Sequence, residues 1–326
     1  YKLPISILTV EGLSNKRFDG AALAWQSVRC DPQLPPRANF SLELAWPEVF
    51  KNGLALEMAN SFLIIASPLK QQVVKSGILG YHYSTDRAPQ YCKETIFEHT
   101  NENTIVVNYH VLSSCKKDKE INEIINFECA TSAVYAEGMP LSLELIKIVT
   151  REGWSIEEVG IFIKHYINLL SLIADQKGKL VSMSLLTDRL PGYFFDIVPQ
   201  NIIVNHSGKP FVIDIEWMLN NDIELGFLLF RALLWVLGSP MNGNSTNQAF
   251  SRRDFIKSSL HAAGFSISDA DFRRFIELES SVQQQVTGRT SKELLYSWAE
   301  QMLPIPSMSK YDNGVENFSQ NLAERH

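Results

Sequence analysis

The sequence is poor in cysteine, in excess positive charge and in long apolar runs, and each shortage removes a class of protein. Its four cysteines, Cys30, Cys92, Cys115 and Cys129, form no CxxC pair and have no histidine at ligand spacing, which excludes a structural zinc site and a disulfide scaffold. Reduced, mostly buried thiols are expected. Lys plus Arg number 30 against 36 for Asp plus Glu, a net charge of −6 with no polybasic block, so a general nucleic-acid binder is excluded. The most apolar long stretch, 225–238, is too short to span a bilayer and carries Arg231 in its middle, so neither a transmembrane helix nor a signal peptide is expected. There is no internal repeat. What is present is 326 residues, 45% of them apolar, enough to bury a core and to exclude disorder over most of the length. The chain opens on Tyr1 and runs straight into "YKLPISILTVEGL", a mid-protein type of segment, so further sequence upstream is expected.

Residues 1–68 alternate turn-rich stretches with one dense apolar run, "ANSFLIIAS", whose length and β-branched residues predict a buried strand. From Gly77 to Leu112 three strand-like runs, "ILGYHYS", "YCKETIFEH" and "TIVVNYHVL", are separated by turn-forming "TDRAP" and "TNEN", which predicts an antiparallel meander. A charged stretch, "KKDKEINEIINFE", reads as helical, and "SAVYAEGMPLSLELIKIV" as a short strand, a turn at Gly138 and Pro140, then a helix. Residues 155–176 place apolar side chains at helical spacing behind a Ser-x-x-Glu capping box. Residues 193–217 read as strand, loop, strand, a hairpin turn at "NHSGKP" and strand, with Asp196 and Asp214 at strand ends. Helices follow over 225–238, 252–264, 269–285 and 291–302, and the last twenty or so residues read as a loose tail.

The chemistry is concentrated in "DIVPQN", from Asp196 to Asn201, and "VIDIEW", which contains Asp214. Phosphoryl transfer asks for little covalent chemistry from a protein; it needs a divalent metal bridging the phosphates and a carboxylate that orients the attacking hydroxyl. Here an acid, an amide oxygen five residues on and a second acid at the end of the neighbouring strand supply that set: Asp196 as base or orienter, Asn201 and Asp214 as hard oxygen ligands for Mg²⁺. An Asp and an Asn in a loop more commonly form turns; the second acid at the right place after a hairpin is what favours chemistry.

At Asp196, Pro199, Asn201 and Asp214 the sequence resembles the protein-kinase-like superfamily, in particular its bacterial branch of aminoglycoside, choline and lipopolysaccharide kinases, whose loop reads Asp-x-x-Pro-x-Asn and whose metal strand reads Ile-Asp-x-Glu. The resemblance implies an α+β, bilobal fold: a small antiparallel lobe over 75–137 and a mainly helical large lobe over 138–303, with 304–326 as the tail. It implies ATP and Mg²⁺ as cofactors, and a sugar or polysaccharide hydroxyl as acceptor. "VYAEGMPL" resembles the hinge between such lobes, where backbone groups near Tyr135 and Glu137 would hold the adenine. Residues 1–68, with "YKLP", "ILTVEGL" and "LEMANSFLIIAS", resemble the end of a class I S-adenosylmethionine-dependent methyltransferase of the kind joined to kinase-like domains in bacterial surface-polysaccharide proteins. S-adenosylmethionine is then a cofactor only if an upstream domain is present. A cytoplasmic place follows, compatible with peripheral attachment to the inner face of a membrane.

The sequence also departs from the family. "TIVVNYHVL" offers Asn108 and His110 where a phosphate-binding Lys is required, and Lys93, on the preceding run, is the available substitute. "YHYSTDRAP" has no glycine at its turn, and Glu120, Glu123 or Glu128 could stand for the helix-C glutamate. Phe194 replaces the usual His before the loop Asp, and Glu216 and Trp217 follow the metal strand, either facing substrate or closing the loop. Arg231 is expected to pair with an acid inside the large lobe and His165 to pack on its helix, while His82, Asp86 and Arg87, which the resemblance puts where nucleotide phosphates would pass, are expected to form a solvated turn. The alternative to an active phosphotransferase is a catalytically silent scaffold attached to a methyltransferase whose methyl transfer is the main activity.

Overall fold

In the computed structural model, which describes residues 5–29, 40–59, 61–65, 76–100, 104–113, 124–236, 245, 249–289 and 292–303, sheet pairing begins earlier in the chain than the meander. Strand β1 (Ser6–Leu8) lies antiparallel to the first meander strand, with Ser6 opposite His82 and Leu8 opposite Gly80. Helix α1 (Val10–Ser14) follows, its N-cap Thr9 accepting the Gly12 N–H at 2.9 Å. A Cβ at Gly12 would lie 1.9 Å from the Leu79 carbonyl oxygen, so α1 rests on that strand only because residue 12 has no side chain. Helices α2 (Gly20–Arg29) and α3 (Leu42–Lys51) complete the N-terminal segment. The division expected between 1–68 and 75–137 is thus bridged by a backbone ladder, because the edge of the meander needs partners for its N–H and C=O groups.

The meander is β2 (Ile78–Ser84), β3 (Lys93–His99) and β4 (Ile105–Val111). Beyond it come β5 (Ile125–Phe127), β6 (Ser132–Val134) and β7 (Met139–Pro140). Among the described residues the main sheet runs β1-β2-β3-β4-β6, antiparallel throughout. Most of the stretch expected to be helical, 116–128, lies outside the described residues, and its end forms β5 rather than a helix. "ANSFLIIAS" does not form the predicted buried strand: residues 61–65 have no regular structure, and Phe62 and Ile64 are 66% and 85% exposed. An apolar run becomes a strand only where another strand's edge is there to pair with it.

Helices α4 (Ser142–Val149) and α5 (Ile156–Gln176) open the helical part. The capping box forms as the sequence predicts: Ser155 Oγ accepts the Glu158 N–H, and Glu158 Oε2 accepts the Ser155 N–H at 2.9 Å. After β8 (Arg189–Leu190) the chain makes two 3₁₀ turns, Gly192–Asp196 and Pro199–Asn201. The first replaces an expected strand. Phe194, Phe195 and Asp196 are consecutive and all buried, which the alternating faces of a strand forbid. Then come β9 (Ile202–Val204) and β10 (Pro210–Val212), paired through the predicted hairpin, followed by β11 (Trp217–Leu219) and β12 (Ile223–Glu224). Helices α6 (Leu225–Val236), α7 (Arg252–Ala262), α8 (Asp269–Thr287) and α9 (Lys292–Glu300) close the body. Their apolar faces join α5 in one core, to which Leu170, Leu228 and Phe255 contribute fully buried side chains worth about 1.5–3 kcal/mol each. A smaller core of Phe18, Leu23, Leu79 and Ile105 ties α2 to the sheet.

No helix among the described residues is long and apolar enough to cross a membrane. Cys92 and Cys129 are free thiols, half-buried rather than mostly buried, and Cys30, Cys115 and the tail 304–326 lie outside the described residues.

Candidate active site

Asp196 ends the first 3₁₀ turn, and the peptides on both sides of it are fixed. Arg231 on α6 donates to the Phe195 carbonyl, and the Tyr166 hydroxyl on α5 donates to the Ile197 carbonyl at 2.6 Å. Arg231 itself is buried and pairs with Glu279 on α8 at 2.7 Å, so it holds the loop from inside the helical body, as its place in an apolar helix requires. The Asp196 side chain is buried, and its Oδ2 accepts the N–H groups of Glu216 at 2.9 Å and Trp217 at 3.1 Å. Burial pushes its carboxyl up to about 7, against the pull of the Glu216 N–H and the Arg231 charge.

Asn201 ends the second 3₁₀ turn. Its Nδ2 donates to the Asp196 carbonyl at 2.9 Å, which turns the side-chain oxygen away from that bond and leaves it available as a ligand. Its own carbonyl accepts the Ile213 N–H at 2.9 Å, bringing it within one residue of Asp214 along the chain. Asp214 lies two residues past β10 with φ of +54°, the one non-glycine residue among those described with a positive φ. That conformation costs an L-residue free energy and concentrates at functional sites. Asp214 is 41% exposed on its side chain and bonds Lys93 Nζ.

Lys93, the first residue of β3, is 2% exposed and reaches both Asp214 and Glu216, the latter at 2.8 Å. Burial works against its charge, but the two carboxylates outweigh that and its pKa is raised. Glu216 also pairs with Arg87 at 2.6 Å. The four side chains Arg87, Lys93, Asp214 and Glu216 therefore form one chain of alternating charge between the sheet and β11. Tyr109 closes over Lys93, its ring centroid 4.9 Å from Nζ.

Asp196, Asn201 and Asp214 line a single cavity of about 220 Å³ together with Arg87, Gln200, Glu216, Trp217 and the α8 residue Gln283. Tyr135 and Glu137 are not among its lining residues. The Tyr135 N–H donates to the Ile105 carbonyl at 3.0 Å, its hydroxyl accepts the Asp19 N–H at 2.9 Å, and Glu137 accepts from Arg17 Nε at 2.8 Å. His82 bonds Ser6 across β1 at 2.9 Å, and His165 pairs with Glu144 at 3.0 Å. Trp217 packs against Tyr91 and Phe127, so it closes the loop. Arg87, for which a solvated turn was favoured over a place beside the phosphates, is part of the cavity wall, and its contact with Glu216 crosses 129 positions.

The donor set fits a hard divalent cation. No three His, Cys, Asp or Glu residues among those described cluster as a metal site, whereas Mg²⁺ takes one or two protein oxygens and completes its shell with water and phosphate. Asn201 and Asp214 offer such a pair. Compared with family models, with curated proteins and with solved structures, the chain matches none.

Proposed function

We propose that this chain is an ATP- and Mg²⁺-dependent phosphotransferase module of bilobal, kinase-like build, acting on a sugar or polysaccharide hydroxyl within a longer protein that carries a methyltransferase domain. The observation that carries the reading is the meeting of Asp196, Asn201 and Asp214 in one cavity, with Lys93 on the Asp214 carboxylate. Asp196 has the affinity for a proton that a general base working near neutrality needs. In the transfer the acceptor oxygen bonds to the γ-phosphorus, the bond from that phosphorus to the β-phosphate oxygen breaks, and the acceptor's proton passes to the Asp196 carboxylate. Asn201 and Asp214 would hold the metal, which when bound neutralises phosphate charge. Lys93 would then exchange part of its contact with Asp214 for a phosphate oxygen. The backbone around Tyr135 and Glu137 would take the adenine, and the acceptor class follows from the family resemblance. A cytoplasmic place, at or near the inner face of a membrane, belongs to the same reading.

A silent scaffold attached to the methyltransferase is the second reading, favoured by one observation: Lys93 sits directly on Asp214, and a cavity of about 220 Å³ is smaller than pockets that enclose whole drug-sized ligands, roughly 300–1,000 Å³. A thermal-shift titration with ATP and Mg²⁺, run beside Asp214→Asn, separates the two. Ligand at a hundred times its Kd stabilises the fold by about 2.7 kcal/mol. A Mg²⁺-dependent shift lost in the variant is the expected result; no shift in either protein leaves the scaffold.

A further inference from the structure

The connection between β2 and β3, residues 85–92, carries no glycine, and the backbone of its second half is largely committed. The Ala88 N–H donates to the Val286 carbonyl of α8 at 2.8 Å, Tyr91 to Ala88 at 2.9 Å and Cys92 to Pro89 at 3.2 Å, while Pro89 has no N–H. From 88 to 92 only Gln90 keeps an N–H without a backbone acceptor, so this half of the connection has little backbone to offer phosphates. It is also held in place. Tyr91 is buried and packs edge-on to Phe127 and Trp217.

What this fixed connection offers the cavity is the Arg87 side chain. Both hydrogen bonds of its guanidinium, to Glu216 Oε1 at 2.6 Å and to the Tyr91 carbonyl at 3.5 Å, use Nη1. Nε and Nη2, with three N–H donors, bond to no described residue, and Arg87 lines the cavity beside Asp196, Asn201 and Asp214. A planar guanidinium with a free edge matches two phosphate oxygens at once. Because the connection is already ordered, little conformational freedom is lost when an anion binds.

Resting on the phosphotransferase reading, we propose that Arg87 is a second polyphosphate-binding residue beside Lys93, its guanidinium doing what a flexible glycine turn does with backbone N–H groups. Its contribution then grows with the number of phosphates in the ligand. A residue that only supports the fold affects all ligands alike.

The experiment is calorimetric titration of the full chain and of Arg87→Ala with ATP, ADP, AMP and inorganic tripolyphosphate, all with Mg²⁺. Arg87→Gln, which keeps an amide donor for Glu216, takes the place of Arg87→Ala if the latter does not fold. We expect ATP and tripolyphosphate to lose roughly ten- to a hundredfold in affinity, ADP less, and AMP less than about twofold. Equal affinities in both proteins, or an equal loss for every ligand, overturn the role of Arg87 and leave the phosphotransferase reading standing. Arg87-dependent binding of tripolyphosphate with no binding of any nucleotide keeps the anion site and overturns the kinase reading. A wild-type chain that binds none of the four overturns both.

Discussion

The two ends of the cavity solve the problem of buried charge in opposite ways. At the sheet end Asp214 and Glu216 are held by cationic side chains, Lys93 and Arg87, so charge meets charge. At the helical end the Asp196 carboxylate, among the described residues, meets two backbone N–H groups and no cationic side chain, with Arg231 directed to the neighbouring carbonyl and to Glu279. The first arrangement surrounds carboxylates with cations; the second makes ionisation costly and leaves a carboxyl that exchanges protons near neutral pH. One sequence of twenty-one residues, 196–216, thus yields a candidate ligand and a candidate base from the same side-chain type.

The largest expected effect breaks the first end. Lys93→Met leaves Glu216 buried without one of its two cationic partners and Asp214 without its lysine, and should destabilise the fold by about 3–5 kcal/mol in denaturant unfolding. If the loss comes from stranded charge, pairing the change with Glu216→Gln should recover part of it, and a strictly additive double variant would contradict that account.

At the second end the expected effect has the opposite sign. The Asp196 carboxyl binds its proton more tightly folded, near 7, than at the ordinary 3.8 of an unfolded chain, so its favourable contribution is full below about pH 4 and is lost as pH rises through 7. Asp196→Asn removes that loss. It should stabilise the protein at pH 8 by up to roughly 4 kcal/mol, an upper bound from about 1.4 kcal/mol per pH unit, and the gain should vanish near pH 4. Nucleotide binding should persist while transfer disappears. For the wild type, kcat/KM should climb with pH and level off above about 7, since the base works only when deprotonated. A flat profile from pH 5 to 9 would remove Asp196 from that role.

How much of this could be read from the residues depends on how local the signal is. Helix α5 was legible because cap and periodicity lie within one segment, and the β9–β10 hairpin because its turn is spelled out between two apolar runs. The clustering of Asp196, Asn201 and Asp214 followed from that hairpin. The first 3₁₀ turn was not legible, since aromatic "YFFD" suits a strand until α5, α6 and β11 bury its consecutive residues together. Nor was β1, three residues whose pairing lies more than seventy positions away. Lys93 was legible as a substitute cation; its contact with Asp214 depends on how the sheet meets β11.

A smaller effect tests how firmly the second end is built. Tyr166→Phe removes the hydroxyl that donates to the Ile197 carbonyl, leaving a buried acceptor unpaired, at a cost of about 1–3 kcal/mol. Nucleotide affinity should hold while kcat falls, because the residue positions the loop of Asp196 and touches no ligand. An equal change in both would place the effect in the fold as a whole.

The smallest effect concerns the segment that neither end contains. Glu137 lies on the surface and its partner Arg17 comes from the N-terminal segment, where solvent and salt screen the pair. Arg17→Ala should leave the melting temperature unchanged. If adenine is held by backbone around Tyr135 to Glu137, the substitution should also leave ATP affinity within about twofold, because it removes no backbone donor or acceptor. A large loss of ATP affinity with an unchanged melting temperature would instead make Arg17 part of the nucleotide site. The N-terminal segment, already joined to the sheet through β1, would then supply binding chemistry as well as a strand.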